Sequence, residues 1–216
     1  MHLATIDEAL ERIGGGEMVL VVDDEDRENE GDVTMAAHFV TAEAVNFMLR
    51  FARGLVCMPT APERLDRLGL GPMVAPGEAT TDTAFTVTID HVDAGSGIGA
   101  GDRALTMRRL VDEHVHPTEF RRPGHVFPLR ARDGGVLERR GHTEAAVDLA
   151  RLAGLPPVAV ICEVLADDGS PARFPDLARF AQRHGLLVVS VAQLVEHRIA
   201  LDRPVVAARA VASIVR

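Results

Sequence analysis

The chain has 216 residues, 47% of them hydrophobic and 25% charged, which suits a soluble globular domain with a sizeable core. A net charge of −9 argues against nucleic acid or an anionic membrane as the main partner, so an anionic small molecule would need a local positive field. Two cysteines, Cys57 and Cys162, both in apolar stretches, argue against a disulfide framework or a thiolate zinc cluster. Aromatic residues are 4%, with no Trp or Tyr, leaving few stacking surfaces.

In chain order, Thr5 with Glu8 is a capping box, and Ile6, Ala9, Leu10 and Ile13 recur at helical spacing, predicting a short helix that ends at Gly14-Gly15-Gly16. Residues 18–22 form a β-rich apolar run and residues 33–37 a second, so the acidic segment DDEDRENEGD connects two predicted strands. Thr41 caps a helix predicted to reach about Arg53, with Gly54 as its stop and 55–58 as the next strand. Further strands are predicted at 85–90, 126–131, 158–164 and 186–189. Helices are predicted to start near Asp102, Thr143, Pro175 and Ser190, the last with a capping box to Gln193. This alternation predicts an α/β (mixed α+β) fold, a sheet covered by helices, as a single catalytic domain over 1–216. Residues 203–216 read as a peripheral C-terminal extension without legible chemistry. No run of about 20 apolar residues occurs, and the start MHLATIDEAL lacks the layout of a signal peptide, so a cytoplasmic protein is expected.

Residues 23–32 hold seven acids and one base, Arg27. Most charge runs are solvated loops, but this one lies between strands, where functional residues are often placed, and such density favours a bound cation. Hard oxygen donors suit magnesium or manganese. A calcium loop fails on spacing, because its turn glycine would fall on Asn29 and its twelfth ligand on Met35.

The second constellation is Arg139-Arg140-Gly141-His142-Thr143-Glu144, just ahead of an amphipathic helical run. A helix N-terminus with Arg and Thr beside it is a phosphate cradle, and His142 is either a metal ligand or a polar cap residue. His125 and Glu163 each stand at a strand end, where partial burial raises a carboxyl's pKa towards the range useful in proton transfer. An ion-paired boundary residue is the alternative for each. Cys57 reads by default as a small buried hydrophobe.

Taken in order, DDEDRENEGD, ARGLVCMP, TAFTVTID, GAGDR, RPGHVFPL, RRGHTEAAVDLARLAG and AVICEVLADDG resemble the 3,4-dihydroxy-2-butanone 4-phosphate synthase family over about residues 5–199. The resemblance implies a layered α/β sandwich and a homodimer with active sites at the subunit interface. The implied activity is a lyase of riboflavin biosynthesis that converts ribulose 5-phosphate to dihydroxybutanone phosphate and formate, through an enediolate, dehydration, skeletal rearrangement and loss of C4. It further implies Mg2+ or Mn2+, two ions per site, on Glu28 and His142, with sugar contacts from Arg27 and Asp32. Phosphate contacts fall on the 139–143 segment, Arg139 and Thr143 foremost with Arg140 and Gly141 between, and His125 and Glu163 become the acid/base pair. Glu30 and Cys57 match active-site positions of the family. One departure stands out: where relatives carry a TTGISA-type segment, this chain reads Gly95-Ser96-Gly97-Ile98-Gly99-Ala100, losing two hydroxyls, so a paralogue acting on another sugar phosphate as lyase or isomerase is the competing expectation. With the chain ending at Arg216 and no zinc-type cysteine cluster, a monofunctional enzyme is expected.

Overall fold

A computed structural model of the chain describes residues 3–75 and 77–201. Helix α1 (Ile6–Gly14) starts as its capping box requires, with the Thr5 hydroxyl accepting from the Glu8 N–H and the Glu8 carboxylate accepting from the Thr5 N–H. Strands β1 (Val19–Val22) and β2 (Gly31–Ala36) pair antiparallel across the acidic loop. Then come α2 (Ala42–Phe47), β3 (Cys57–Thr60), α3 (Pro62–Arg67), β4 (Ile89–His91), α4 (Ala100–Val111) and β5 (Phe120–Arg130). The remainder is α5 (His142–Leu152), β6 (Ala159–Glu163), α6 (Asp176–His184) and β7 (Leu187–Ser190). Residues 191–201 are helical, capped by Ser190 and Gln193 as expected.

The seven strands form one mixed sheet in the order β4-β5-β3-β6-β2-β1-β7. Pairs β1–β7 and β3–β5 are parallel and the others antiparallel. Strand β1 explains why the sheet lies between two helical layers. Its Val19 and Val21 join Ile6, Ala9 and Ile13 of α1 and Ala145 and Leu149 of α5, whereas Leu20 and Val22 join the cluster containing Val45, Met48, Met107 and Leu110. Side chains alternate faces along a strand, so a run apolar at every position must be buried on both sides. The same alternation divides β2. Val33 and Met35 enter the second cluster, leaving Asp32 on the α5 side.

Three expectations shift. The predicted helix to Arg53 runs as α2 and then as a π-helical turn over Met48–Ala52. Its left-handed terminal residue is Arg53 (φ 72°), not Gly54. Only Ile89–His91 of the predicted 85–90 strand is regular, while β5 starts at Phe120, well before 126, because its first half pairs with β4 and its second half with β3. Helix α3, opened by Pro62 at its first turn, was not foreseen. The extension proposed at 203–216 lies outside the described residues.

Candidate active site

The acidic loop is organised from its first residue. Asp23, buried at the end of β1, accepts hydrogen bonds from Arg27 Nη1 (2.7 Å) and from the backbone N–H groups of Glu28 (3.2 Å) and Glu30 (2.8 Å). Arg173 closes the outer side by donating to the carbonyls of Glu28 (2.6 Å) and Asn29 (2.5 Å), with Asn29 left-handed at φ 55°. One carboxylate thus folds its neighbours into a turn, and Glu28 is presented to His142 at the start of α5, with Oε2 3.7 Å from Nδ1.

Ligand atoms of Asp23, Glu28 and His142 all lie within 4.8 Å of one another. His142 is buried, and its Nε2 has no hydrogen-bond partner among the described residues. Burial disfavours its charge, but Asp32, Glu28 and Asp23 outweigh burial and push the imidazole up to about 9. Glu28 is drawn down to about 2, first by its close contact with His142, against a burial penalty, with Arg27 assisting. An imidazolium here takes the place a divalent cation would fill. Both oxygens of Asp23 accept N–H groups, and the Glu28 carboxylate accepts from Arg27 at 3.1 and 3.2 Å, so a cation on Glu28 and His142 would take over from the Arg27 contact; hard oxygen with imidazole fits magnesium or manganese.

Across the sheet, Asp32 of β2 stands opposite Glu163 of β6 in register, two carboxyls that the sequence holds far apart. Asp32 is buried, its Oδ1 without a hydrogen-bond partner among the described residues, and burial first, then the nearby Glu163, Glu30 and Glu28, raise it well above the usual carboxylate range. Glu163 is likewise raised by burial, while Oε2 accepts the Leu55 N–H at 2.8 Å. Cys57, buried on β3, is pushed far up by burial, Glu163 and Asp32, so its thiol is neutral. Gly54 explains how β6 reaches this position: a Cβ there would lie 2.4 Å from the Glu163 carbonyl oxygen and 2.6 Å from Oε2. Gly54→Ala is therefore expected to lose about 1–3 kcal/mol in urea unfolding through this overlap, a result checked against Gly71→Ala, which lies in open space without a positive φ, as a comparison for backbone effects.

These groups line one pocket of about 320 Å3. Of the residues expected from sequence, it collects Arg27, Glu28, Glu30, Asp32 and Cys57 from the first half of the chain, and Arg139, His142, Thr143 and Glu163 from the second. Gly141 is the N-cap of α5, buried beneath the Arg139 guanidinium, where a Cβ would lie 2.3 Å from Nη1. Arg140 is exposed and His125 lies on β5, and neither lines the pocket. Sequence reading passed over Thr83, Phe85, Leu129 and Ile161, which complete the wall, and Glu144, which fixes Arg139 at 2.6 Å. Only Glu144 had a usable signal, an acid within the first turn of α5.

The model of the 3,4-dihydroxy-2-butanone 4-phosphate synthase family matches residues 7–197. A protein of that name from Agrobacterium fabrum is 54% identical over 198 residues, covering 91% of this chain and 93% of its own. The riboflavin biosynthesis protein RibBA of Aquifex aeolicus is also 54% identical over 198 residues, covering 90% of this chain, which spans only 49% of that longer protein. Among solved structures, a 3,4-dihydroxy-2-butanone 4-phosphate synthase in complex with two magnesium ions superposes with a TM-score of 0.87 at 42% identity, covering 93% of this chain and 98% of that one. The Candida albicans synthase gives 0.85 at 46% identity, with 91% and 98% covered.

Proposed function

The chain belongs to the 3,4-dihydroxy-2-butanone 4-phosphate synthase family, and from that premise we propose that its pocket converts ribulose 5-phosphate to 3,4-dihydroxy-2-butanone 4-phosphate and formate in riboflavin biosynthesis. The observation that carries this reading is the meeting, in one pocket, of a carboxylate–imidazole ligand pair, two carboxyls of raised pKa and a guanidinium.

Glu28 and His142 would hold a magnesium ion, which would supply positive charge that eases removal of the C3 proton. Arg139, its guanidinium fixed by Glu144, binds the phosphate together with Thr143 and the free N–H groups at the start of α5. Arg140 adds charge from outside the pocket. Arg27 and Asp32 bind sugar hydroxyls. Glu163, poised by partial burial, removes the C3 proton and passes it to the departing C1 hydroxyl. C5 then migrates from C4 to C3, the C4–C5 bond breaking as C3–C5 forms; a water adds at the C4 carbonyl and the C3–C4 bond breaks to release C4 as formate, so one water is lost, one is regained, and substrate and products balance. Neutral Cys57 and the apolar Ile161 and Leu129 limit water access. Glu30, tied to Arg173 at 3.4 Å, carries a further negative charge to the pocket rim.

His125, the remaining acid/base candidate, serves the pocket of a second copy in a homodimer. Its 42% side-chain exposure and its absence from its own pocket support this assignment. A cytoplasmic location belongs to the same reading, and no described helix is long and apolar enough to cross a membrane.

The test is formate release from ribulose 5-phosphate with magnesium and with manganese, against a chelated control; no formate with either ion removes the proposal. Subunit sharing is tested by mixing inactive His125→Ala and Glu163→Gln proteins under exchange. Random heterodimers with one intact site each should recover about one quarter of native activity. Confirmed heterodimers without activity would exclude sharing.

A further inference from the structure

Away from the pocket, β4 and β5 carry a second arrangement of ionisable groups. Asp90 of β4 is 4% exposed. Its Oδ1 accepts the His125 backbone N–H at 2.9 Å, and its Oδ2 lies 2.7 Å from His125 Nδ1. Backbone and ring of one residue are therefore held by a single carboxylate.

The glycine-rich loop completes the arrangement. Asp102, in the first turn of α4, accepts the N–H groups of Gly95 (3.1 Å) and Gly97 (3.0 Å), drawing the loop over the pair. A Cβ on Gly97 would lie 2.1 Å from Asp90 Oδ2 and 2.5 Å from His125 Nδ1, and the residue sits at φ 86°. Gly97 therefore covers the inner edge of the imidazole, while the side chain as a whole stays 42% exposed.

We infer that Asp90 is the positioning residue for His125, fixing its tautomer so that Nε2 is the atom that exchanges protons. This inference rests on the reading of His125 as an acid/base group. An ionised carboxylate accepts hydrogen bonds but donates none, so neutral His125 must carry its proton on Nδ1. The lone pair is then on Nε2, at the outer edge. When Nε2 takes a proton from a substrate hydroxyl, both ring nitrogens carry hydrogen and Asp90 faces the positive charge. When the proton is returned, the same tautomer is restored. The loop's lost hydroxyls matter little to this role, because it acts through the Gly97 backbone and Asp102.

Asp90→Asn is the discriminating variant. The amide keeps the carboxylate's shape, and its oxygen can still accept the His125 backbone N–H. That leaves its NH2 facing Nδ1, which must then be the bare nitrogen, moving the proton to Nε2. Nitrogen-15 NMR of imidazole-labelled protein, with His125 identified by its loss in His125→Gln, should show protonated Nδ1 and bare Nε2 in the native protein and the reverse in Asp90→Asn. Turnover should fall about 10²–10⁴-fold, as expected for a mis-set tautomer, with KM and magnesium dependence nearly unchanged. Asp90→Glu should restore the native tautomer and part of the rate. Gly97→Ala, which pushes the pair apart, should lose the fixed tautomer by a different route. A native tautomer or native turnover in Asp90→Asn overturns the inference. His125→Ala separates the two layers: if it is fully active, the acid/base reading falls. If it is inactive while Asp90→Asn is unaffected, only the positioning role falls.

Discussion

Glu163→Gln is expected to reduce formate release by about 10²–10⁴-fold while leaving magnesium binding and substrate KM close to native. The glutamine oxygen can still accept the Leu55 N–H that Oε2 accepts at 2.8 Å, so the local backbone should hold. What disappears is the group able to take a proton from C3. Stability should stay level or rise. Glu163 and Asp32 face each other in register, and the charge of Glu163 is one cause of the raised pKa of Asp32. A neutral amide removes that repulsion, so a lower rate together with an unchanged or higher Tm is the signature of a carboxyl kept for chemistry at some cost in stability. Single-turnover formate measurement with thermal unfolding checks both halves. Native turnover in Glu163→Gln would remove this carboxylate from the mechanism.

How legible the site is from sequence depends on how local each interaction is. The acidic loop and the 139–144 segment are contiguous, so their chemistry shows in residue order alone, and α1 and the Ser190 cap are written into side chains three residues apart. The pairing of Asp32 with Glu163 depends on β6 lying between β2 and β3, a sheet order that no local pattern specifies. Gly54 shows the same limit in a different form. Its position suited a helix stop, yet its physical reason is the approach of Glu163, distant in sequence. Asp90 was hidden in an ordinary strand pattern, and Asp23 among equals. What distinguishes each is its hydrogen-bond partners, which appear only once the chain is folded. Conversely, the glycine-rich 95–101 loop looked like a weakness because two hydroxyls were missing, whereas the described contacts run through backbone N–H groups that any residue but proline supplies and a Gly97 that only glycine can satisfy.

Magnesium should stabilise the protein more at pH 9 than at pH 6.5, and its binding should release a proton in the lower part of that range. In the metal-free protein His142 is held up at about 9, because Asp32, Glu28 and Asp23 outweigh its burial. Its folded pKa is above the unfolded value of 6.5, so the stabilisation from pairing its imidazolium is complete below about 6.5 and is lost as pH rises through about 9. Ligation requires the neutral ring, so below about 9 each ion must displace that proton, and affinity should rise about tenfold per pH unit where displacement is complete. Asp32 acts in the same direction, since its raised pKa means that ionisation on raising the pH adds a buried negative charge which a cation relieves. Glu28, drawn down to about 2, is ionised throughout this window; its own contribution would be lost only as pH falls from 4.5 through about 2. The two trends reinforce each other, with the metal-free protein weakening as the metal-bound form gains. Thermal unfolding with and without magnesium across pH 6.5–9, and calorimetry in two buffers of different ionisation heat, measure the shift and the proton count. His142→Ala should abolish both the proton release and most of the pH dependence. An equal magnesium-induced Tm shift at every pH, or binding without proton release at pH 6.5, would place the ion away from His142.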